Sequence, residues 1–128
     1  MDEHCDVGIV NHYYLARILK KKANLPVGLF WPNQGENEGG VYVDISGAGI
    51  MKYAKNKELA VKLLNWLSSE KAQSLFAGSN MEYPVNPNVK PSFLVQTWGD
   101  FKQNTDNISQ SGKNRDTAIE LMQRAKYQ

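Results

Sequence analysis

The sequence predicts an α/β fold, and three observations carry the prediction. Short β-branched apolar runs alternate with stretches of helical periodicity. Glycine and proline mark the joins between them. An apolar fraction of 41% over 128 residues is enough for a domain with a real core.

The elements follow in order. Asp6 to Val10 reads as a short buried strand, with Cys5 as a buried thiol at its start. Asn11 is a good N-cap residue, and Leu15, Ile18 and Leu19 fall at helical spacing behind it. That places Tyr13 and Tyr14 in the first turn and Lys20, Lys21 and Lys22 in the last, where cations complement the helix dipole. Val27 to Trp31, bounded by Pro26 and Pro32, suits one strand. Asn33 to Gly40 (NQGENEGG) is a polar loop whose Glu36 and Glu38 read as solvated acids.

Val41 to Ile45 is a β-branched strand, followed by a tight Ser46-Gly47-Ala48-Gly49 turn. That turn lacks the spacing and the Lys-Ser/Thr ending of a phosphate loop. Asn56 to Ser68 is the best-defined helix, capped by Asn56, with Glu58 in its first turn and an apolar face of Leu59, Leu63, Leu64, Trp66 and Leu67. Ser69 caps a second helix with Ala72, Leu75 and Phe76 inward and Gly78 as its stop. Met81 to Pro91 is a proline-studded loop or edge segment. Ser92 to Gln96 is a returning strand, with Trp98 and Phe101 as anchors after it. Arg115 to Ala125, capped by Asn114, closes the chain as an amphipathic helix.

Several function classes fall away. A net charge of +2 with mixed signs and no basic patch interleaved with aromatics argues against nucleic acid. No stretch reaches the apolar length of a transmembrane helix. The start, MDEHCDV, lacks the positive and apolar regions of a signal peptide, and Met1 reads as an added start. Cys5 forms no intramolecular disulfide, and His4 and His12 do not stand at zinc-site spacing with it. Adjacent helical positions point about a quarter-turn or more apart, so His12 is expected at the surface and not beside the tyrosines' oxygens. No nucleophile and base pair emerges, which leaves an enzyme as the weakest class.

Tyr13 and Tyr14 are the residues with chemistry to offer. Unpaired N–H groups and the positive end of the helix dipole favour negative charge there, which would ease the loss of a phenol proton. Two adjacent phenols then form a hard-oxygen site suited to ferric iron. In an arbitrary protein such a pair is more often half-buried packing, with hydroxyls reaching water or a backbone group.

A resemblance bears on that choice. CDVGIVNHYYLARIL resembles the Asn-x-Tyr-Tyr segment of bacterial periplasmic ferric-iron-binding proteins, the solute receptors of iron ABC importers. The likeness continues through GGVYVDISGAGIMKYAKNKELAVKLLNWLSSEKAQSLFA, MEYPVNP, a Trp-Gly-x-Phe-Lys run and NRDTAIELMQRA. It covers nearly the whole chain in order.

The resemblance implies a partial type 2 periplasmic-binding-protein fold, about the C-terminal two-fifths of the family's length. By the family's pattern, residues 1–40 belong to the C-terminal lobe, 41–94 form a hinge strand and part of the N-terminal lobe, and 95–128 return to the C-terminal lobe. It further implies Tyr13 and Tyr14 as phenolate ligands to Fe(III), and Asn11 as a residue that helps hold a synergistic anion, carbonate or phosphate. The other ligands would come from outside this chain, from the anion or from water.

Capture, not catalysis, is the implied activity, with delivery to an ABC permease in the inner membrane. The location is periplasmic, or lipid-tethered in Gram-positive relatives. Apolar faces left uncovered in a fragment are expected to favour dimerisation or exchange of elements between copies. Two other readings stand beside this one. A receptor of the same fold for a polyamine, sulfate or phosphonate would generally lack the tyrosine pair, and a ligand-free interaction domain would bind no iron.

Overall fold

The computed structural model describes residues 6–106 and 108–127. His4 and Cys5, and with them the readings of a buried thiol and of zinc spacing, lie outside these residues. Among the described residues six helices form: α1 (His12–Lys21), α2 (Lys57–Leu67), α3 (Glu70–Asn80), α4 (Phe93–Gln96), α5 (Ile108–Lys113) and α6 (Arg115–Arg124). The chain divides into two compact units, Met1–Phe30 with Ile45–Asp100, and Trp31–Asp44 with Phe101–Gln128.

The expected strands are where structure and sequence part. Among the described residues the only β pairing is an isolated parallel bridge, Val41 to Gln103, and 6–10 and 27–31 carry no regular structure. A strand draws its backbone hydrogen bonds from a neighbour, and a β-branched run cannot supply one for itself. Val7, Ile9, Val10, Phe30, Tyr42 and Ile45 are consequently exposed. Phe93 to Gln96 is a helical turn and not a strand. Gln96 Nε2 donates to the Pro91 carbonyl at 2.7 Å and the Thr97 hydroxyl to the Leu94 carbonyl at 2.6 Å, local bonds that a strand would forgo.

In the first unit α2 and α3 form a consecutive pair. Ser69 caps α3 as expected, its Oγ accepting from the Ala72 N–H at 3.3 Å. Asn56 and Asn114 stand at the N-cap positions of α2 and α6 but make no side-chain capping bond. The apolar face of α2 stays largely open, with Leu59, Leu63 and Trp66 exposed. On α3 the buried residues are Ala72, Gln73 and Ala77, while Leu75 and Phe76, expected inward, face out.

Gly78 does not end α3. The helix runs to Asn80 and stops at Met81, which takes the left-handed conformation, φ 62°. That conformation costs a non-glycine residue about 1–2 kcal/mol, and burial of the side chain offsets it. Met81 is 5% exposed and forms the core of the unit with Ala16 and Val95, while Tyr13, Tyr83, Leu94 and Trp98 pack against it.

The second unit is held by polar closure. The Lys102 ammonium donates to the carbonyls of Gly35, Glu36 and Glu38, and its backbone N–H to Gln34 Oε1 at 2.6 Å. The acidic loop is thus wrapped round a lysine. Trp31 and Phe101 stack with ring centroids 4.4 Å apart. Gly40, at φ 88°, is needed at the closest approach: a Cβ there would lie 2.7 Å from the Gln103 carbonyl carbon and from the Lys102 oxygen.

Candidate metal-binding site

The site begins with the entry to α1. Asn11 occupies the N-cap position with extended backbone, φ −67° and ψ 136°, yet its side chain makes no capping bond. Its Nδ2 instead donates to the Tyr13 hydroxyl at 3.0 Å. Asn11 is therefore bound to the tyrosine it was expected to introduce.

Tyr13 and Tyr14 meet as the sequence suggested. Their ring centroids are 4.7 Å apart at a tilt of 54°. Tyr13 is half-buried and Tyr14 is 49% exposed. The Arg17 guanidinium, one turn on, lies over the Tyr13 ring, 4.9 Å from its centroid, a cation–π contact.

Electrostatics at Tyr13 run against the expectation from the helix dipole. Its phenol is held above the ordinary value, chiefly by the hydrogen bond it shares with the Tyr14 hydroxyl, then by desolvation and the neighbouring charge of Tyr14. The Asn11 amide works the other way, favouring the phenolate, and Glu82 adds a smaller push upward.

His12, expected at the surface, is half-buried. Its Nε2 lies 2.9 Å from the Met81 carbonyl. A carbonyl only accepts, so Nε2 carries the hydrogen. The ring lies 4.9 Å from that of Tyr83, 6.2 Å edge-on from Trp98 and 5.6 Å edge-on from Tyr13. Burial pushes its pKa below the usual 6.5, partly opposed by the Met81 carbonyl and the Glu82 charge. Helical spacing could not reveal this role, because the partner is 69 residues away in sequence. Tyr83, packed on His12, has its phenol raised by burial and then by the charge of Asp100.

Among the described residues no group of three or more His, Cys, Asp or Glu side chains stands ready for a metal. No described helix is long and apolar enough to cross a membrane.

The sequence profile of bacterial extracellular solute-binding proteins matches residues 3–74. This chain belongs to that family. Iron uptake protein A2 of Synechocystis sp. is 36% identical to this solute-binding chain over 129 residues, covering 96% of it and 37% of the relative. Iron uptake protein A1 of the same organism is 38% identical over 127 residues, covering 94% and 34%. Among solved structures, the apo ferric ion-binding protein A of Pasteurella haemolytica superposes with a TM-score of 0.78 at 37% identity, over 89% of this chain and 36% of that one.

The chain spans about a third of the length of these relatives. Its backbone is part of the type 2 periplasmic-binding-protein fold, an α/β architecture.

Proposed function

We propose that this chain is a piece of an extracytoplasmic ferric-iron receptor feeding an ABC importer, with Tyr13 and Tyr14 holding the ion as phenolates. The observation that carries the proposal is the meeting of two phenols on one helical turn, rings 4.7 Å apart, with an amide donor 3.0 Å from one oxygen. The names of the iron-uptake and ferric ion-binding relatives support it.

The chemistry follows from charge and hardness. Ferric iron prefers hard anionic oxygen, and a phenolate provides it. A free phenol has a pKa of about 10, and a trivalent cation that binds phenolic oxygen expels the proton. The hydrogen shared between the two hydroxyls is among those that leave, which frees both oxygens toward the metal. Asn11 then stays as a donor to the Tyr13 phenolate or turns to a synergistic anion, carbonate or phosphate. Each phenol ionised on binding makes apparent affinity climb about tenfold per pH unit below its pKa. Capture therefore weakens in acid.

The remaining coordination positions belong to polypeptide beyond this chain, to the anion or to water. In the complete receptor residues 1–40 and 95–128 fall in one lobe and 41–94 in the other, and closure of the lobes over the ion presents it to a permease in the inner membrane. The role is binding and delivery; the ion changes its ligands and no covalent bond in it is remade. The exposed apolar runs at 6–10 and 27–31 favour association of copies when the rest of the receptor is missing.

The test is a titration with ferric nitrilotriacetate. A visible phenolate-to-iron charge-transfer band is expected, absent from the Tyr13→Phe/Tyr14→Phe variant. An unchanged spectrum in both this chain and a longer receptor that includes it rules the proposal out.

A further inference from the structure

We infer that His12 is the positioning residue of the tyrosine pair: its hydrogen bond to the Met81 carbonyl fixes the turn that aims Tyr13 at the cargo. The inference rests on reading Tyr13 and Tyr14 as ferric ligands, and deepens that reading by naming what holds them.

The first turn of a helix is its least constrained part, because its N–H groups lack helical partners. In most helices a side chain at the N-cap closes that turn. Here Asn11 makes no capping bond, and its Nδ2 donates to the Tyr13 hydroxyl at 3.0 Å. The side chain that ties the turn down is His12, and it does so to a remote element, the end of α3.

That end is a rigid anchor. Met81 is set in the left-handed conformation and its side chain is locked in the core with Ala16 and Val95. Its carbonyl stands at the C-terminus of α3, where the helix dipole is negative and an N–H donor is favoured. The imidazole cannot swing away either, because Tyr83 and Trp98 border it. From this fixed ring the peptide leads straight into Tyr13, whose own ring meets the imidazole edge-on at 5.6 Å. His12 thus sets both the backbone direction and one wall of the Tyr13 rotamer.

Three substitutions separate the hydrogen bond from the ring. His12→Gln puts an amide donor near the place of Nε2, His12→Phe keeps the ring without the donor, and His12→Ala removes both. Two readouts are taken on the chain. One is metal-free: the 13Cζ resonance of Tyr13 in tyrosine-labelled protein, which reports the hydrogen bonds at its phenol oxygen. The other is ferric affinity, measured on the charge-transfer band in competition with nitrilotriacetate.

Partners that orient metal ligands are worth about 10–100-fold in affinity. The Phe and Ala variants are therefore expected to shift the Tyr13 resonance and to lose affinity in that range. The Gln variant should stay within about threefold of wild type. Retention of the wild-type resonance and affinity by His12→Phe overturns the inference, as does equal weakening of all three variants with the resonance unmoved. Circular dichroism reports whether each variant is folded; where Ala is not, the size-matched Phe variant decides. Absence of the band in wild type refutes the iron reading alone, and the metal-free resonance still decides whether His12 aims Tyr13.

Discussion

Replacing Gln73 by alanine tests how the ground beneath the site is held. Gln73 is 9% exposed. Its Nε2 donates to the Leu67 carbonyl at the end of α2, at 2.8 Å, and its Oε1 accepts from the Val85 N–H at 2.9 Å. One amide closes the corner between α2 and α3 and secures the segment that carries Met81 and Tyr83 to His12. Alanine leaves both backbone groups without that partner. An unmade bond to a buried group costs about 1–3 kcal/mol, and because these groups are only part-buried the lower end applies to each, about 2 kcal/mol together. The lost methylene adds up to about 0.8 kcal/mol, for a total near 3 kcal/mol. Gln73→Leu keeps the volume and loses only the bonds, about 2 kcal/mol. Urea unfolding followed by tryptophan fluorescence should rank stability as wild type above Leu above Ala. An alanine variant within about 0.5 kcal/mol of wild type, the range of an ordinary surface change, would refute the reasoning.

Two further outcomes are expected. Gly40→Ala combines a positive φ with a Cβ placed 2.7 Å from Gln103 backbone; a cost of about 2 kcal/mol or more should appear as faster hydrogen exchange at the Val41 and Asn104 amides, which close the bridge with bonds of 2.8 Å each. Unchanged exchange there would show that the loop relaxes freely. For His12 the folded-state pKa lies below its unfolded value of about 6.5, because burial opposes the charge. The unfolded chain therefore takes the proton first, and stability present above that pH is lost as pH falls through the folded value. Stability of wild type should drop more than that of His12→Gln as pH falls below about 6.5, and parallel pH curves for the two would contradict it.

What the sequence disclosed depends on how local each cause is. α1 was legible from Leu15, Ile18 and Leu19 at helical spacing, and the start of α3 from Ser69, because the signals lie within a turn or two of their effects. The end of α3 was not legible, since Gly78 is only a permissive stop while the actual stop at Met81 is secured by packing on Ala16 and Val95, far off in sequence. The strands were misjudged for the same reason in reverse. A β-branched run states a preference, and only a neighbour can satisfy it. At the site, adjacency made Tyr13 and Tyr14 obvious, whereas His12 looked like a surface residue because its carbonyl partner lies 69 positions away. Asn11 was placed at the right position without the capping bond, since spacing does not say which of the amide's donor and acceptor atoms will find a partner.

The contrast between unpaired strands and a formed tyrosine turn also bears on how that turn is held. Val7, Ile9 and Val10, which lead into α1, are exposed, so the chain enters the helix without sheet support. The turn nonetheless has its geometry, because Asn11, His12 and the Met81 carbonyl supply what the sheet does not. The two rings therefore take their direction from α3, through one imidazole, and not from strand pairing.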